Sequence, residues 1–153
     1  SLEQAVSDLV DNSINAEAGN VLIRFITKDN LVHSFVIADD GSGMDGKRID
    51  EAMTFGSDQE AGVRSLGKYG MGLKLASLSH AKSLTVISRK NGKCHARRWT
   101  IGGIQKDWEC EVLDSKEAQR KMDASWAGLN MKKSGTLVIW DDIDKLTISS
   151  SGL

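Results

Sequence analysis

An α+β two-layer sandwich is the fold class the sequence predicts: a mixed, mainly antiparallel sheet with its helices on one face. Three observations point there. Apolar period-two stretches come in adjacent pairs, joined by the two-residue turns Asp29-Asn30 and Asn91-Gly92. Helical patterns fall in separate blocks rather than alternating singly with strands, which argues against a doubly wound parallel sheet. A length of 153 residues suits one domain around one core, so a single domain over 1–153 is expected.

Each element has its own signal. Residues 2–16 read as a helix, because Leu2, Val6, Leu9, Val10 and Ser13 recur at the spacing of a buried face. Asp8, Asn12 and Asn15 fall at i, i+4, i+7 and are expected on the opposite side. Residues 20–28 and 32–38 read as a strand pair, and a short helix is expected near 46–54. Residues 55–70 are rich in glycine and polar side chains and read as a loop, with a helix from about 72 to 80. Strands are expected at 84–89 and 94–101, at 108–113 and at 135–140, with a helix around 115–124.

Composition narrows the function. Charged residues make up 27% of the chain and the net charge is −1, which gives no broad electrostatic case for nucleic acid or an anionic membrane. No apolar run approaches the roughly 20 residues of a membrane span. Cys94 and Cys110 show no metal-ligand spacing and read as reduced thiols of a cytoplasmic protein. With Ser rather than Met at residue 1 and a helical pattern from residue 2, a domain cut from a longer chain is expected.

Three segments carry chemistry, in order. Asp8-Leu-Val-Asp-Asn12-Ser-Ile-Asn15-Ala puts a carboxylate and an amide one turn apart on a helix. Asp39-Asp40-Gly41-Ser42-Gly43-Met44 is an acidic glycine turn that ends a strand. Gly67-Lys68-Tyr69-Gly70-Met71-Gly72 is a glycine-rich loop that opens a helix. Backbone N–H groups at such a helix start make a ready anion site, and Lys68 and Lys74 can add charge. Singly, each segment has a plain reading: a solvated helix face, an acidic turn, a helix cap. Together, in this order and spacing, they resemble the ATP site of the GHKL superfamily: gyrase, the large heat-shock chaperones, histidine kinases and MutL, with MORC proteins nearby. The Gly67–Gly72 loop is closest in style to the MORC-like and chaperone-like members.

That resemblance covers residues 2 to about 143 and implies a Bergerat-type fold, with ATP and Mg²⁺ as cofactors. It places Asn12 on the metal-binding asparagine and Asp8 on the catalytic glutamate. An amide oxygen suits Mg²⁺, and a carboxylate about 6 Å away along the helix can hold water near the γ-phosphate. Asp39 becomes the adenine-reading residue: an ionised carboxylate only accepts, so it pairs with the exocyclic amine and rejects guanine's carbonyl. Asp40 becomes a solvent-facing or metal-proximal neighbour. Gly41 and Gly43 permit positive φ and close approach of the base, and Met44 gives it a soft apolar contact. Gly67, Lys68, Tyr69, Gly70, Met71, Gly72 and Lys74 hold the phosphates, with 55–70 as the lid. Gly135-Thr136 resembles the family's closing strand, whose threonine hydroxyl helps bind adenine, often through water.

Two departures stand out. Asp8 is one methylene shorter than glutamate, and Asn15 stands where the family has an aspartate. Gly41–Gly46 also fits a dinucleotide fingerprint, but the flanking carboxylates suit a pyrophosphate badly. Gly41–Lys47 and Gly62–Lys68 fit a P-loop only until the required Ser or Thr, where Arg48 and Tyr69 stand. Trp99, Trp108 and Trp140 are expected in the core or on a sheet face, Trp126 is a candidate contact, and Arg97-Arg98 is expected in solvent. Three readings stay open: an ATPase that moves a larger machine, a kinase module passing the γ-phosphate to a histidine, and a non-hydrolysing ATP-binding regulator. The expected partners are ATP or ADP, flanking domains of the longer chain and, on nucleotide binding, a second copy. In gyrase-, MutL- and chaperone-like members a second domain supplies a lysine to the γ-phosphate, so the fragment is expected to hydrolyse slowly.

Overall fold

The computed structural model describes residues 2–53, 81–100 and 110–143. The loop expected at 55–70, the helix at 72–80 and Trp108 lie outside them. In chain order the elements are α1 (Leu2–Asn15), β1 (Val21–Lys28), β2 (Leu31–Asp39), α2 (Gly46–Met53), β3 (Ala81–Lys90), β4 (Lys93–Thr100), β5 (Glu111–Val112), α3 (Ser115–Met122) and β6 (Gly135–Ile143).

The six strands form one sheet in the order β1-β2-β6-β3-β4-β5, and every pairing among them is antiparallel. The two hairpins arise as the turn residues dictate. Asp29 and Asn30 take φ of 55° and 63°, and Asn91 and Gly92 take 50° and 77°, the left-handed pairs of a type I′ turn. β6 does not join its chain neighbour. It inserts between β2 and β3 and completes the centre of the sheet.

Alternation along the strands builds two cores. On one face Phe35, Ile37, Leu84, Val86, Trp99, Val138 and Trp140 meet Ala5 and Leu9 of α1 and Ile49, Ala52 and Met53 of α2. This is the helical layer of the expected sandwich. On the other face Val36, Ala38, Ile87, Ala96, Leu137 and Ile139 meet Ala118 and Met122 of α3, with Met131 beside them. The expectation of helices on one face therefore needs one addition, since α3 covers part of the back. The cause is visible in the central strands, which are apolar on both faces and cannot leave either in water.

Buried Arg89 ties α3 down. Its guanidinium donates to Cys94 Sγ at 3.0 Å, to the Met131 carbonyl at 2.9 Å and to Asp123 at 3.0 Å. Desolvation works to lower the Arg89 pKa, but the contacts with Cys94 and Asp123 outweigh it and the net shift is upward. Arg97, expected in solvent, is buried instead, with its Nε 2.7 Å from Asp50 of α2. It lies on the helical face in the same row as Val86, where α2 covers it. Trp126, the candidate contact, is used internally: its N–H donates to Lys121 O at 2.8 Å, and the Arg24 guanidinium lies 4.7 Å from its ring. β5 is shorter than the strand expected at 108–113, and β6 runs three residues past 140.

Candidate functional site

The site begins at the end of β2. Asp39 is the last residue of that strand, shares the helical face with Phe35 and Ile37, and is 2% exposed. A buried carboxylate needs donors, and it has two. Ser13 Oγ of α1 donates to one oxygen at 2.7 Å, and the Gly41 N–H donates to the other at 2.9 Å. Burial pushes the Asp39 pKa up, the two hydrogen bonds pull against it and the Asp40 charge adds to the rise; the net shift is upward.

The turn after Asp39 is held from both sides. The Asp40 carboxylate accepts from the backbone N–H groups of Gly19 and Asn20 at 2.9 Å and from Asn20 Nδ2 at 3.0 Å. Desolvation would raise its pKa, but those hydrogen bonds outweigh it and hold it below the ordinary value. Asp40 is partly exposed, in keeping with the solvent-facing alternative, and it also clamps the α1–β1 connection. Gly43 takes the expected positive φ, 70°, and a Cβ there would stand 1.9 Å from the Arg89 carbonyl. Gly41 corrects the expectation, because it is absent from the positive-φ glycines. Glycine is needed there for close approach: a Cβ would meet Ala16 O at 2.7 Å. Met44 is 3% exposed and packs into the helical-side core, while its N–H donates to Ser88 Oγ at 2.7 Å.

The neighbouring strands continue the row. Asp39 pairs with Thr136 across β2 and β6, and Thr136 pairs with Ser88 across β6 and β3. Directly paired residues share a face. Asp39, Thr136 and Ser88 therefore line one polar end of an otherwise apolar face, all buried. The Ser88 and Thr136 hydroxyls are 2.8 Å apart.

Above this end lies α1. Asn12, expected on the side opposite the buried face, is 8% exposed and immediately precedes Ser13. The reason is angular: position 12 lies about 60° from the Leu9 direction, at the flank of the buried stripe rather than opposite it. Asp8 is half-buried and accepts from Gln4 Nε2 at 3.0 Å, while Asn15 is exposed.

With this geometry in place, comparison with known proteins is decisive. The sequence profile of the family described as "Histidine kinase-, DNA gyrase B-, and HSP90-like ATPase" matches residues 1–136. The chain belongs to that family. The relatives of this GHKL domain include ATPase morc-1 of Caenorhabditis elegans, 33% identical over 89 residues, which are 58% of this chain and 10% of that protein. ATPase MORC2 of Homo sapiens is 31% identical over 90 residues, 56% of this chain and 9% of that protein. The GHKL domain thus spans about a tenth of the length of the curated relatives it matches. Two solved structures share its fold. One is the N-terminal domain of a DNA repair protein, with TM-score 0.52 and 19% identity, covering 92% of this chain and 37% of that one. The other is the 43K ATPase domain of Thermus thermophilus gyrase B in complex with an aminocoumarin, with TM-score 0.54 and 15% identity, covering 97% and 36%.

The GHKL domain brings Asn12, Asp39, Gly41, Met44 and Thr136 to one end of the sheet, with Asp8 one turn up α1. Gly67, Lys68, Tyr69, Gly70, Met71, Gly72 and Lys74 lie outside the described residues. Two residues went unremarked as site residues in the sequence. Ser13 followed the periodicity of an ordinary buried position, although a lone hydroxyl on an apolar stripe asks for a partner. Ser88 sits in a strand with no motif around it and carried no signal.

Burial of Asp39 makes the stability of the fold depend on pH. Its raised pKa means the folded state takes up the proton more readily than the unfolded chain does, so the stability it contributes is fullest below 3.8 and is lost as pH rises through the folded pKa. Asp39→Asn removes that ionisation. The variant should unfold no more easily than the parent at pH 7, its advantage should shrink as pH falls toward 3.8, and it should lose stabilisation by ATP. Urea melts at several pH values, with and without ATP, check this; a variant much less stable at pH 7 contradicts it.

Proposed function

We propose that this domain binds ATP with Mg²⁺ and hydrolyses it, as the nucleotide switch of a longer protein. The observation that carries the reading is the Ser13–Asp39 hydrogen bond. It joins the base-reading carboxylate to the helix that bears Asn12 and Asp8, in a chain of an ATPase family. Asp39 accepts from the adenine amine, with Thr136 beside it. Asn12 supplies an amide oxygen to the metal. Gly67, Lys68, Tyr69, Gly70, Met71, Gly72 and Lys74 are assigned to the phosphates on sequence grounds alone, with 55–70 as the covering lid.

The residues present suit Mg²⁺. That ion keeps several waters and takes one or two protein oxygens beside substrate phosphates, rather than a full protein cage. Asn12 offers one such oxygen at the buried flank of a rigid helix. Among the described residues no group of three or more His, Cys, Asp or Glu is placed to hold a metal. When bound, Mg²⁺ supplies charge neutralisation on the phosphates. Asp8 orients the attacking water and accepts its proton. Product release, motion of flanking domains and nucleotide-dependent dimerisation then couple the cycle to a machine.

The non-hydrolysing reading keeps one specific support. Asp8 is a methylene short of glutamate, and about 1 Å of misplacement costs roughly 10²-fold in rate.

Thermal unfolding tests binding first. ATP and ADP with Mg²⁺ should each stabilise the fold, by roughly 2.7 kcal/mol at a concentration of 100 Kd. GTP should add little, and equal shifts with ATP and GTP would sink the assignment of Asp39.

Asn12→Ala should weaken ATP binding in Mg²⁺ and change it far less in EDTA. An identical loss with and without the metal removes Asn12 from the ligand set.

Asp8→Asn should slow phosphate release by about 10²- to 10⁴-fold, the usual worth of a positioned base, with ATP affinity held within a few-fold. Asp8→Glu should keep or raise the rate. Turnover by Asp8→Asn at the parent rate leaves the regulatory reading standing.

A further inference from the structure

Ser88 is fully buried, and the function described above makes no use of it. Its oxygen touches three polar atoms. The Met44 N–H donates to it at 2.7 Å, the Gly135 carbonyl lies at 3.2 Å, and the Thr136 hydroxyl lies at 2.8 Å. We propose that Ser88 fixes the direction of the Thr136 hydroxyl proton, making Thr136 an acceptor toward the nucleobase, and so acts as a positioning residue for adenine specificity. This rests on the reading of Asp39 and Thr136 as base-facing groups.

A serine hydroxyl has one proton and two lone pairs. Met44 N–H takes one lone pair, because an amide can only donate. Gly135 O can only accept, so that contact is a hydrogen bond only if Ser88 gives its proton there. One lone pair then remains, and Thr136 fills it by donating. This is the one assignment in which all three contacts are hydrogen bonds. The reverse direction gives up the Gly135 contact and leaves a Ser88 lone pair empty where no water reaches, which is costly.

With its proton committed to Ser88, Thr136 has only lone pairs left for anything else. Its cross-strand neighbour Asp39 is acceptor-only when ionised. Two acceptors therefore stand side by side on adjacent strands. An exocyclic amine, with two N–H groups, satisfies such a pair directly or through one water. A carbonyl at the same place meets repulsion from both. Ser88 thus extends the discrimination from one group to two.

The test is a double-mutant cycle read as a ratio of affinities. ITP is the probe, since it carries a carbonyl where ATP carries the amine. In Ser88→Ala the Thr136 hydroxyl regains its proton and can donate to that carbonyl. The preference for ATP over ITP should fall by about 3- to 10-fold, the worth of one neutral hydrogen bond. Thr136→Val should lower it similarly, and adding Ser88→Ala to Thr136→Val should change nothing further. Ser88→Thr, which keeps the hydroxyl, should keep the ratio. A merely structural Ser88 would weaken both nucleotides equally, and an unchanged ratio in Ser88→Ala overturns the proposal. If that variant does not fold, Ser88→Cys replaces it; its thiol is a weak acceptor, so the ratio should fall, and a parental ratio overturns the proposal equally. Wild-type protein that binds ATP and ITP alike overturns the base-site reading, and this inference with it. Discrimination by the wild type that persists in the variants removes Ser88 alone.

Discussion

A carboxylate taken out of water must be given donors, and that requirement at Asp39 organises this end of the molecule. One donor comes from its own turn, the Gly41 N–H, and the other from Ser13 on α1. Leaving a buried acceptor without a partner costs about 1–3 kcal/mol, and more for a charged group. The helix is therefore set at the strand end by a polar contact as well as by Ala5 and Leu9. Everything α1 carries inherits that position. The turn beyond Asp39 is constrained in the same spirit: Asp40 anchors the α1–β1 connection, while Gly43 lets the backbone pass against Arg89 where no Cβ fits.

The sheet adds a second constraint, which is topological. β6 is the last described strand, yet it lies between β2 and β3 and brings Thr136 beside both Asp39 and Ser88. The polar row is thus made of residues from three separated parts of the chain. Such contacts form only after a long loop has closed, and their entropy cost comes before their reward. The polar row is complete only when these three strands have paired. Hydrophobic burial on both faces of the central strands offsets that cost, with Leu137 and Ile139 against α3 and Val138 and Trp140 against α1 and α2.

Much of this was legible in the sequence because local chemistry wrote it. Asp29-Asn30 and Asn91-Gly92 announced their hairpins, and the spacing of Leu9 and Ser13 announced the buried side of α1. The family emerged from the order of three motifs rather than from any one of them. What stayed hidden was set by packing between distant segments. Arg97 reads as one of a basic pair until α2 places Asp50 over it. Asn12 groups with Asp8 by i, i+4 spacing, yet it lies at the flank of the buried stripe and is buried while Asp8 is only half-buried. Ser88 is one hydroxyl in a β-forming run, and only the register of β6 reveals what it touches.

The Ser13–Asp39 contact bears on one of the two residues at odds with the family pattern, Asp8. Under the proposed reading Asp8 must reach water near the γ-phosphate with a side chain one methylene too short. Moving α1 toward the phosphates by about 1 Å would restore the reach. The Ser13–Asp39 contact opposes this. Ser13 lies five positions along the same rigid rod, about 7.5 Å away at 1.5 Å per residue. A rigid shift of that size along the line of its 2.7 Å contact with Asp39 would stretch that contact beyond hydrogen-bond distance and leave buried Asp39 short of a donor. On that reading the shortfall is met more cheaply on the other side, by where the nucleotide's phosphates sit or by an additional water in the relay. Under the proposed reading, base recognition and water activation are coupled through α1, and the contact that holds Asp39 opposes adjustment of Asp8.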